Sequence, residues 1–291
     1  MTGVIGFIGT GVMGEPMCRN LAVKSGRPVI AFDRSAAALQ RLGAHGVTAA
    51  ASAAEIVRDC DVIFLVLPSG RHVAEVCDGE GGLCALARSG QTIIDCGTSP
   101  VSLARRLAAT LATRGATFAD APIARTRQAA DAGTLSIMVG ADPATFAALH
   151  PLLALMGSDI THCGPVGHGQ MVKILNNMVL IETVVALAEA LAVARGAGLD
   201  GAMLFDTLAK GSADSFALRN HGMKALLPGA YPEQAFSVEY ALKDLDYAFE
   251  LARDAGVKLD AALVARAKLA AAIAAGYGEK YWPVIAEVRG G

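Results

Sequence analysis

The sequence predicts an α/β chain, with an N-terminal doubly wound sheet domain and an all-helical C-terminal domain joined by a long inter-domain helix. Three observations predict it. Short apolar runs alternate with helical stretches from the N-terminus to about residue 164, the pattern of a mostly parallel sheet with crossover helices. After Gly169 no strand-like alternation returns, and helical stretches follow one another between breaks at Gly196-Ala197-Gly198, Gly211-Ser212, Pro228-Gly229 and Asp254-Ala255-Gly256. The length of 291 residues favours two domains over one, and the change of pattern sets their expected extents at 1–164 and 165–291.

The first strand is read in Gly3-Val4-Ile5-Gly6-Phe7-Ile8, followed by Gly9-Thr10-Gly11-Val12-Met13-Gly14 and a helix from Glu15 to Lys24. Strand, Gly-x-Gly-x-x-Gly, helix is the Rossmann pattern. The first glycine permits the bend, the second lets a pyrophosphate approach the backbone, and the third lets the helix pack on the strand. The phosphates then sit at a helix N-terminus. A second strand, Pro28 to Phe32, ends at Asp33, at the spacing of a carboxylate that holds ribose hydroxyls. Asp33 favours NAD over NADP, because it repels an added phosphate; Arg34 beside it argues the other way. Further strands are read at 61–67, 91–95, 117–120 and 135–139, with a last one near 159–162. Leu67-Pro68-Ser69 and Cys96-Gly97-Thr98-Ser99-Pro100 follow two of these strand ends and would line the cofactor crevice, although turn chemistry accounts for such residues about as well.

Composition narrows the function classes. The chain is 53% hydrophobic but only 5% aromatic, with a mean hydropathy of +0.44, which implies small-residue helix packing and a buried subunit interface. A formal charge of −2 and the absence of a basic run interleaved with aromatics give no reason to expect nucleic acid or an anionic membrane as partner. Met1-Thr2-Gly3 runs into the first strand without a charged, cleavable apolar leader, so a cytoplasmic protein is expected. The most apolar helix, Met178 to Ala194, carries Glu182 and Glu189 on one face, which suits a buried core helix better than a membrane span. Six scattered cysteines lack C-x-x-C spacing and read as free thiols. The six histidines show no close ligand spacing, and no metal site is expected.

The stretch Gly167-His168-Gly169-Gln170-Met171-Val172-Lys173-Ile174-Leu175-Asn176-Asn177 puts a lysine and two carboxamides at the start of the long helix. Lys173 and Asn177 are four apart and share a helix face. An ammonium and an amide so placed can grip a polar oxygen, a proton donor with its positioning partner, and the two glycines let the backbone turn into the helix. Taken alone, the pattern also fits a surface lysine. Lys243-Asp244-Leu245, on a helix from Val238 to Ala255, is a second candidate whose plain reading is a surface ion pair.

Together the motifs carry a resemblance. The Gly9/Gly11/Gly14 turn with Met13, the Leu67-Pro68 edge, Asp120-Ala121-Pro122, Gly133-Thr134-Leu135, Gly167 through Asn177, and Phe236 through Leu245 occur in an order similar to the β-hydroxyacid dehydrogenases, over nearly the whole chain. The resemblance implies reversible oxidation of a small anionic 3- or 4-hydroxy acid to its semialdehyde, and a helical domain that pairs subunits into a homodimer or homotetramer. It also implies that Lys173 is the catalytic lysine, Asn177 orients the substrate, Thr98 touches the cofactor and Lys243 closes over it. Hydride would pass between nicotinamide and carbon while Lys173 gives or takes the hydroxyl proton; for alcohol oxidation its pKa must fall, which burial assists.

One departure bears on substrate. Most of this family follows Asp-Ala-Pro-x with Ser-Gly-Gly, whereas this chain reads Asp120-Ala121-Pro122-Ile123-Ala124-Arg125-Thr126. Arg125 replaces a neutral amide cradle with a charged fork suited to an anion, and its alternative reading is a salt bridge to a neighbouring acid. With Ile123 and Thr126 it forms the expected substrate loop, which resembles that of sulfolactaldehyde reductases. Two other readings of the fold stay open: an imine reductase, against which Lys173 counts, and a non-catalytic dinucleotide-binding protein, which would not need the Lys173/Asn177 pair.

Overall fold

The structure, a computed structural model, describes residues 3–79, 81–233 and 235–288; Met1-Thr2, on which the targeting expectation rests, lie outside them. The chain divides into two compact units, 1–173 and 174–291. The division falls inside the long helix, beyond the expected boundary at 164.

The first unit is a nine-stranded sheet among the described residues: β1 (Ile5–Ile8), β2 (Val29–Phe32), β3 (Val47–Ala49), β4 (Val62–Leu65), β5 (Thr92–Asp95), β6 (Thr117–Asp120), β7 (Ile123–Ala124), β8 (Leu135–Gly140) and β9 (Gly157–Gly164). Their order is β3-β2-β1-β4-β5-β6-β8-β7, with β9 on β8. The strands from β3 to β6 pair in parallel, β8 runs antiparallel to β6 and β7, and β9 is parallel to β8. β1 and β4 are buried at every residue, because helices cover both faces of a doubly wound sheet and leave no solvent side to alternate towards.

Two apolar clusters mark those faces. Phe7, Phe64 and Ile94 point into one, together with Met17 and Leu21 of α1 (Gly14–Lys24). Ile8, Ile63, Leu65 and Ile93 point into the other. α2 (Ala36–Gly43), α3 (Ala53–Asp59), α4 (Gly70–Asp78), α5 (Leu83–Leu86), α6 (Val101–Ala112), α7 (Arg127–Ala132) and α8 (Pro143–Leu153) complete the crossovers. Ile56, Val73, Leu107 and Leu111 seat α3, α4 and α6 on the second cluster, and Leu149, Leu152 and Leu153 seat α8 on the first. Burial of each such side chain contributes about 1.5–3 kcal/mol. Sequence reading missed β3 and β7, which are too short to show a period of two.

The second unit takes the rest of α9 (His168–Gly196), with α10 (Gly201–Leu208), a π-helical stretch Leu218–Leu226, α11 (Val238–Ala255), α12 (Asp260–Ala274) and a 3-10 turn Trp282–Glu287. Outside the sheet, only isolated bridges join 233 to 280 and 237 to 281 among the described residues. Trp282 is fully buried. α9 is the one described helix long and apolar enough to cross a membrane by length and composition, yet its most apolar window is 39% buried within the chain. The expected core helix is therefore only partly covered, with Val179 and Val193 exposed at 55% and 72%.

Candidate active site

Five parallel strands end in one row. Ile8 is level with Phe32 and Leu65, Leu65 with Asp95, and Asp95 with Asp120. The residues that follow are neighbours along the carboxyl edge, and the strand order reverses between β1 and β4, where such sheets take ligands. That edge gathers the Gly9–Gly14 turn, Asp33 and Arg34, Leu67 and Pro68, and Thr98.

The turn fits a dinucleotide. Gly9 has φ +95°, and a Cβ there would strike the Val66 carbonyl. A Cβ at Gly14 would collide with the Gly9 carbonyl, so helix and strand need that glycine to pack. At Gly11 a Cβ would meet nothing within 4 Å, which leaves open space for a pyrophosphate. Met13, half-buried against the core, makes no side-chain cap on α1, whose Glu15 N–H is taken by the Gly11 carbonyl at 2.9 Å. Val12 is exposed, and the buried Thr10 Oγ1 has no hydrogen-bond partner. Asp33 accepts the Thr10 N–H at 2.5 Å on one oxygen and the Ser35 N–H at 2.7 Å on the other. Its carboxylate is thus fixed beside the turn, with lone pairs left for ribose hydroxyls. Arg34 is exposed and, among the described residues, joins no ion pair.

Lys173 stands half-buried on the second turn of α9, inside the sheet unit. The first turn is tied to the strand ends. Gly167, at φ +93°, swings its N–H onto Asp120 Oδ1 at 2.6 Å, and the Gln170 N–H reaches Oδ2 at 2.7 Å. The Gln170 side chain spans to the next strand: Nε2 donates to the Gly97 carbonyl at 2.8 Å, and Oε1 accepts the Ser99 N–H at 2.9 Å. Asp95 closes the network, accepting the Ser99 hydroxyl at 2.7 Å and the Gly97 N–H at 2.9 Å. Burial pushes the Asp120 carboxyl up to about 6, against the downward pull of its two amides. The glycines here are not alike: Gly167 makes the bend, whereas Gly169 is already helical, and a Cβ on it would hit the Met138 carbonyl and lie 2.8 Å from Asp120. Asp95, Asp120 and Gln170 were given no role by sequence. Their legible trace is a pair of acids ending two apolar strands.

The substrate loop holds an unusual backbone. Arg125 has φ +85°, the only positive value at a non-glycine among the described residues. Its Nη1 donates to the Thr134 carbonyl at 2.7 Å and to Ser158 Oγ at 3.0 Å, and Nη2 pairs with Asp159 at 2.7 Å. The Ser158 hydroxyl and then Arg125 hold the Asp159 carboxyl below its usual range. The salt-bridge reading therefore describes where Arg125 rests. Ile123 packs half-buried on the core, and the Thr126 hydroxyl caps α7 by accepting the Ala129 N–H.

In the helical unit, Asn177 is 4% exposed and donates from Nδ2 to Asp244 Oδ2 at 2.6 Å, while its own oxygen accepts from Asn176. Lys243 Nζ lies 2.9 Å from the other Asp244 oxygen, an ion pair without hydrogen-bond alignment, and 5.2 Å from the centroids of the Tyr240 and Tyr247 rings. This is not the expected surface pair, because Asp244 is 2% exposed. Asp244 is a further residue that sequence reading left without a function. Among the described residues no cluster suits a metal ion, and all six cysteines are free.

Comparison with known proteins places this architecture. Residues 4–164 match the family described as the NAD binding domain of 6-phosphogluconate dehydrogenase, and residues 167–282 that described as NAD-binding of NADP-dependent 3-hydroxyisobutyrate dehydrogenase. The chain is 35% identical to 2-(hydroxymethyl)glutarate dehydrogenase of Eubacterium barkeri over 88% of its length and 84% of the relative's. With the NAD-dependent L-serine dehydrogenase of Pseudomonas aeruginosa it shares 32% identity over 97% of this chain and 96% of the other. A Mycobacterium tuberculosis 3-hydroxyisobutyrate dehydrogenase solved with L-serine superposes with a TM-score of 0.88 at 31% identity, covering 99% of both chains. An imine reductase from Pseudomonas sp., at 18% identity and a TM-score of 0.64, shares the fold. The chain is an NAD(P)-dependent dehydrogenase acting on a hydroxyl group and belongs to the β-hydroxyacid dehydrogenase family.

Proposed function

We propose that this enzyme interconverts a small anionic 3- or 4-hydroxy acid and its semialdehyde, with NAD as the preferred cofactor and Lys173 as the proton donor and acceptor. The observation that carries the reading is the anchoring of the α9 first turn to the Thr98 loop through Gln170, which fixes the Lys173 helix to the cofactor edge. The dinucleotide supplies the hydride or takes it. Lys173 protonates the carbonyl oxygen in reduction and accepts the hydroxyl proton in oxidation. Asn177, its amide oriented by Asp244, positions the substrate, and Lys243 closes over the cofactor. Asp33 supports the preference for NAD over NADP.

The substrate class follows from shared chemistry. Relatives are named for 3-hydroxyisobutyrate, L-serine and 2-(hydroxymethyl)glutarate, acids whose CH2–OH sits on the carbon that bears a carboxyl group, differing in that carbon's other substituent. Arg125 would add a charged contact in the loop that follows Asp120-Ala121-Pro122, exchanging the exposed Asp159 for a substrate anion. Such an exposed pair is weak enough to be displaced. Sulfolactaldehyde, with a sulfonate for that fork, is the specific candidate; succinic and methylmalonic semialdehydes are its carboxylate rivals. A cytoplasmic homodimer or homotetramer fits the partly covered α9.

The decisive experiment is Lys173→Ala, assayed by NADH and NADPH oxidation with these three aldehydes. Turnover should fall by at least about a hundredfold, the worth of a positioned acid–base group, with NADH affinity retained. Near-normal turnover in the variant would remove the lysine from the chemistry. An enzyme silent on all three would move the substrate to another anionic aldehyde.

A further inference from the structure

We propose that Asp120 is a positioning residue for the reaction, acting through the first turn of α9, with Gln170 as the link that sets Lys173 against the Thr98 loop. This rests on the reading of Lys173 as the proton donor.

The burial of Asp120 calls for a reason. Its side chain has no exposure at all, and among the described residues it pairs with no lysine or arginine. A buried carboxylate without a cation is costly to keep, and one backbone turn could be capped more cheaply by a serine or threonine. The surroundings are nevertheless shaped for it. A Cβ at Gly140 would collide with Asp120 Oδ1, a Cβ at Gly169 would come within 2.8 Å of Oδ2, and Gly167 bends to deliver its N–H. Two glycines thus leave room for one charged group, and a third turns its N–H onto it.

What the carboxylate fixes is orientation. It accepts N–H groups from Gly167 and Gln170, three residues apart, so it grips the helix start at two points and resists both sliding and rotation. Gln170 then reaches the Gly97 carbonyl and the Ser99 N–H on either side of Thr98. Asp95 holds that same loop through Gly97 and Ser99. Lys173 comes one turn after Gln170, so its Cα is fixed to the strand ends through a continuous chain of hydrogen bonds. Proton and hydride transfer need their groups placed together, and a displacement of about 1 Å can cost about a hundredfold in rate.

Asp120→Asn keeps the shape and removes the charge and one acceptor. The expected result is a kcat lower by about ten- to a hundredfold, with substrate KM, NADH affinity and melting temperature close to those of the parent. Unchanged kcat would overturn the proposal, and so would parallel loss of kcat, NADH binding and thermal stability, which marks a purely structural role. If the variant does not fold, Gln170→Leu decides: kcat lost with NADH affinity kept supports the positioning role, and normal kcat overturns it. Lys173→Ala assayed alongside separates the two readings. An active Lys173→Ala removes the lysine assignment, whereas an inactive one beside a fully active Asp120→Asn removes only the positioning role.

Discussion

The two units take carboxylates out of water by different means. In the sheet unit Asp120 is met by backbone, through the N–H groups of Gly167 and Gln170, and Asp95 by the Gly97 N–H beside the Ser99 hydroxyl. In the helical unit Asp244 is met by side chains, the Asn177 amide and the Lys243 ammonium. The cause is geometric. Strand ends and helix starts leave N–H groups unused by regular structure, whereas the middle of a helix has none to give. Backbone partners survive a side-chain substitution; side-chain partners do not. The helical unit should therefore be the more fragile to point changes at its polar cluster.

The largest test is Asp244→Ala. It leaves the Asn177 amide buried without its acceptor, a loss of about 2–4 kcal/mol. Trp282, the one tryptophan of the chain, is fully buried in the helical unit and reports its unfolding by fluorescence in urea. A loss below about 1 kcal/mol would mean that the cluster relaxes around the gap, and the contrast in fragility would disappear.

Next is pH, where the units respond with opposite sign. His221 sits on the π-helical stretch, with Nδ1 2.6 Å from the Tyr281 hydroxyl and its ring 5.3 Å from Trp282. Burial, and then the nearby Lys224, push its pKa down to about 4. The unfolded chain binds that proton near 6.5, so this stability is present in full above 6.5 and is lost as pH falls towards 4. Between pH 7 and pH 5 the loss comes to about 2 kcal/mol. Asp120, raised instead, contributes more stability as pH falls from about 6 towards its unfolded value, so it cannot produce the decline. The urea midpoint followed at Trp282 should drop between those two pH values and hold steadier in His221→Gln. A midpoint in the parent that does not move would refute the assignment.

The same contrast explains what could be read from sequence. Gly9, Gly11, Gly14 and Asp33 form a local pattern whose spacing encodes its geometry, and seven of the nine strands could be read as short segments between turns. Domain type and the dinucleotide edge followed from these. Asp95 and Asp120 lie on separate strands that the sheet register brings level, Gln170 joins them from a helix 50 residues beyond Asp120, and Asn177 meets Asp244 across 67 residues. Long-range pairing leaves no periodicity to read. Arg125 is a third case: its residue type was visible and suggested an anion, but its left-handed backbone and its hold on Asp159 depend on the loop's folded shape.

That loop gives the smallest and cleanest comparison. Arg125→Gly and Arg125→Ala both remove the guanidinium and its bonds to Thr134, Ser158 and Asp159, so those losses cancel between them. What remains is the backbone at φ +85°. A Cβ in the left-handed region costs about 1–2 kcal/mol, while glycine gives back part of that through the freedom of its unfolded chain. Arg125→Gly should therefore be the more stable of the two by about 0.5–1 kcal/mol in urea unfolding at constant pH. Alanine equal to or above glycine would show that the loop leaves the left-handed region once the arginine is gone. Catalytic efficiency on an anionic aldehyde separates the side chain from the backbone. If the guanidinium binds the anion, both variants should lose about tenfold, equivalent to about 1.4 kcal/mol, and to the same extent. If glycine alone restores activity, the backbone shape is what the substrate requires.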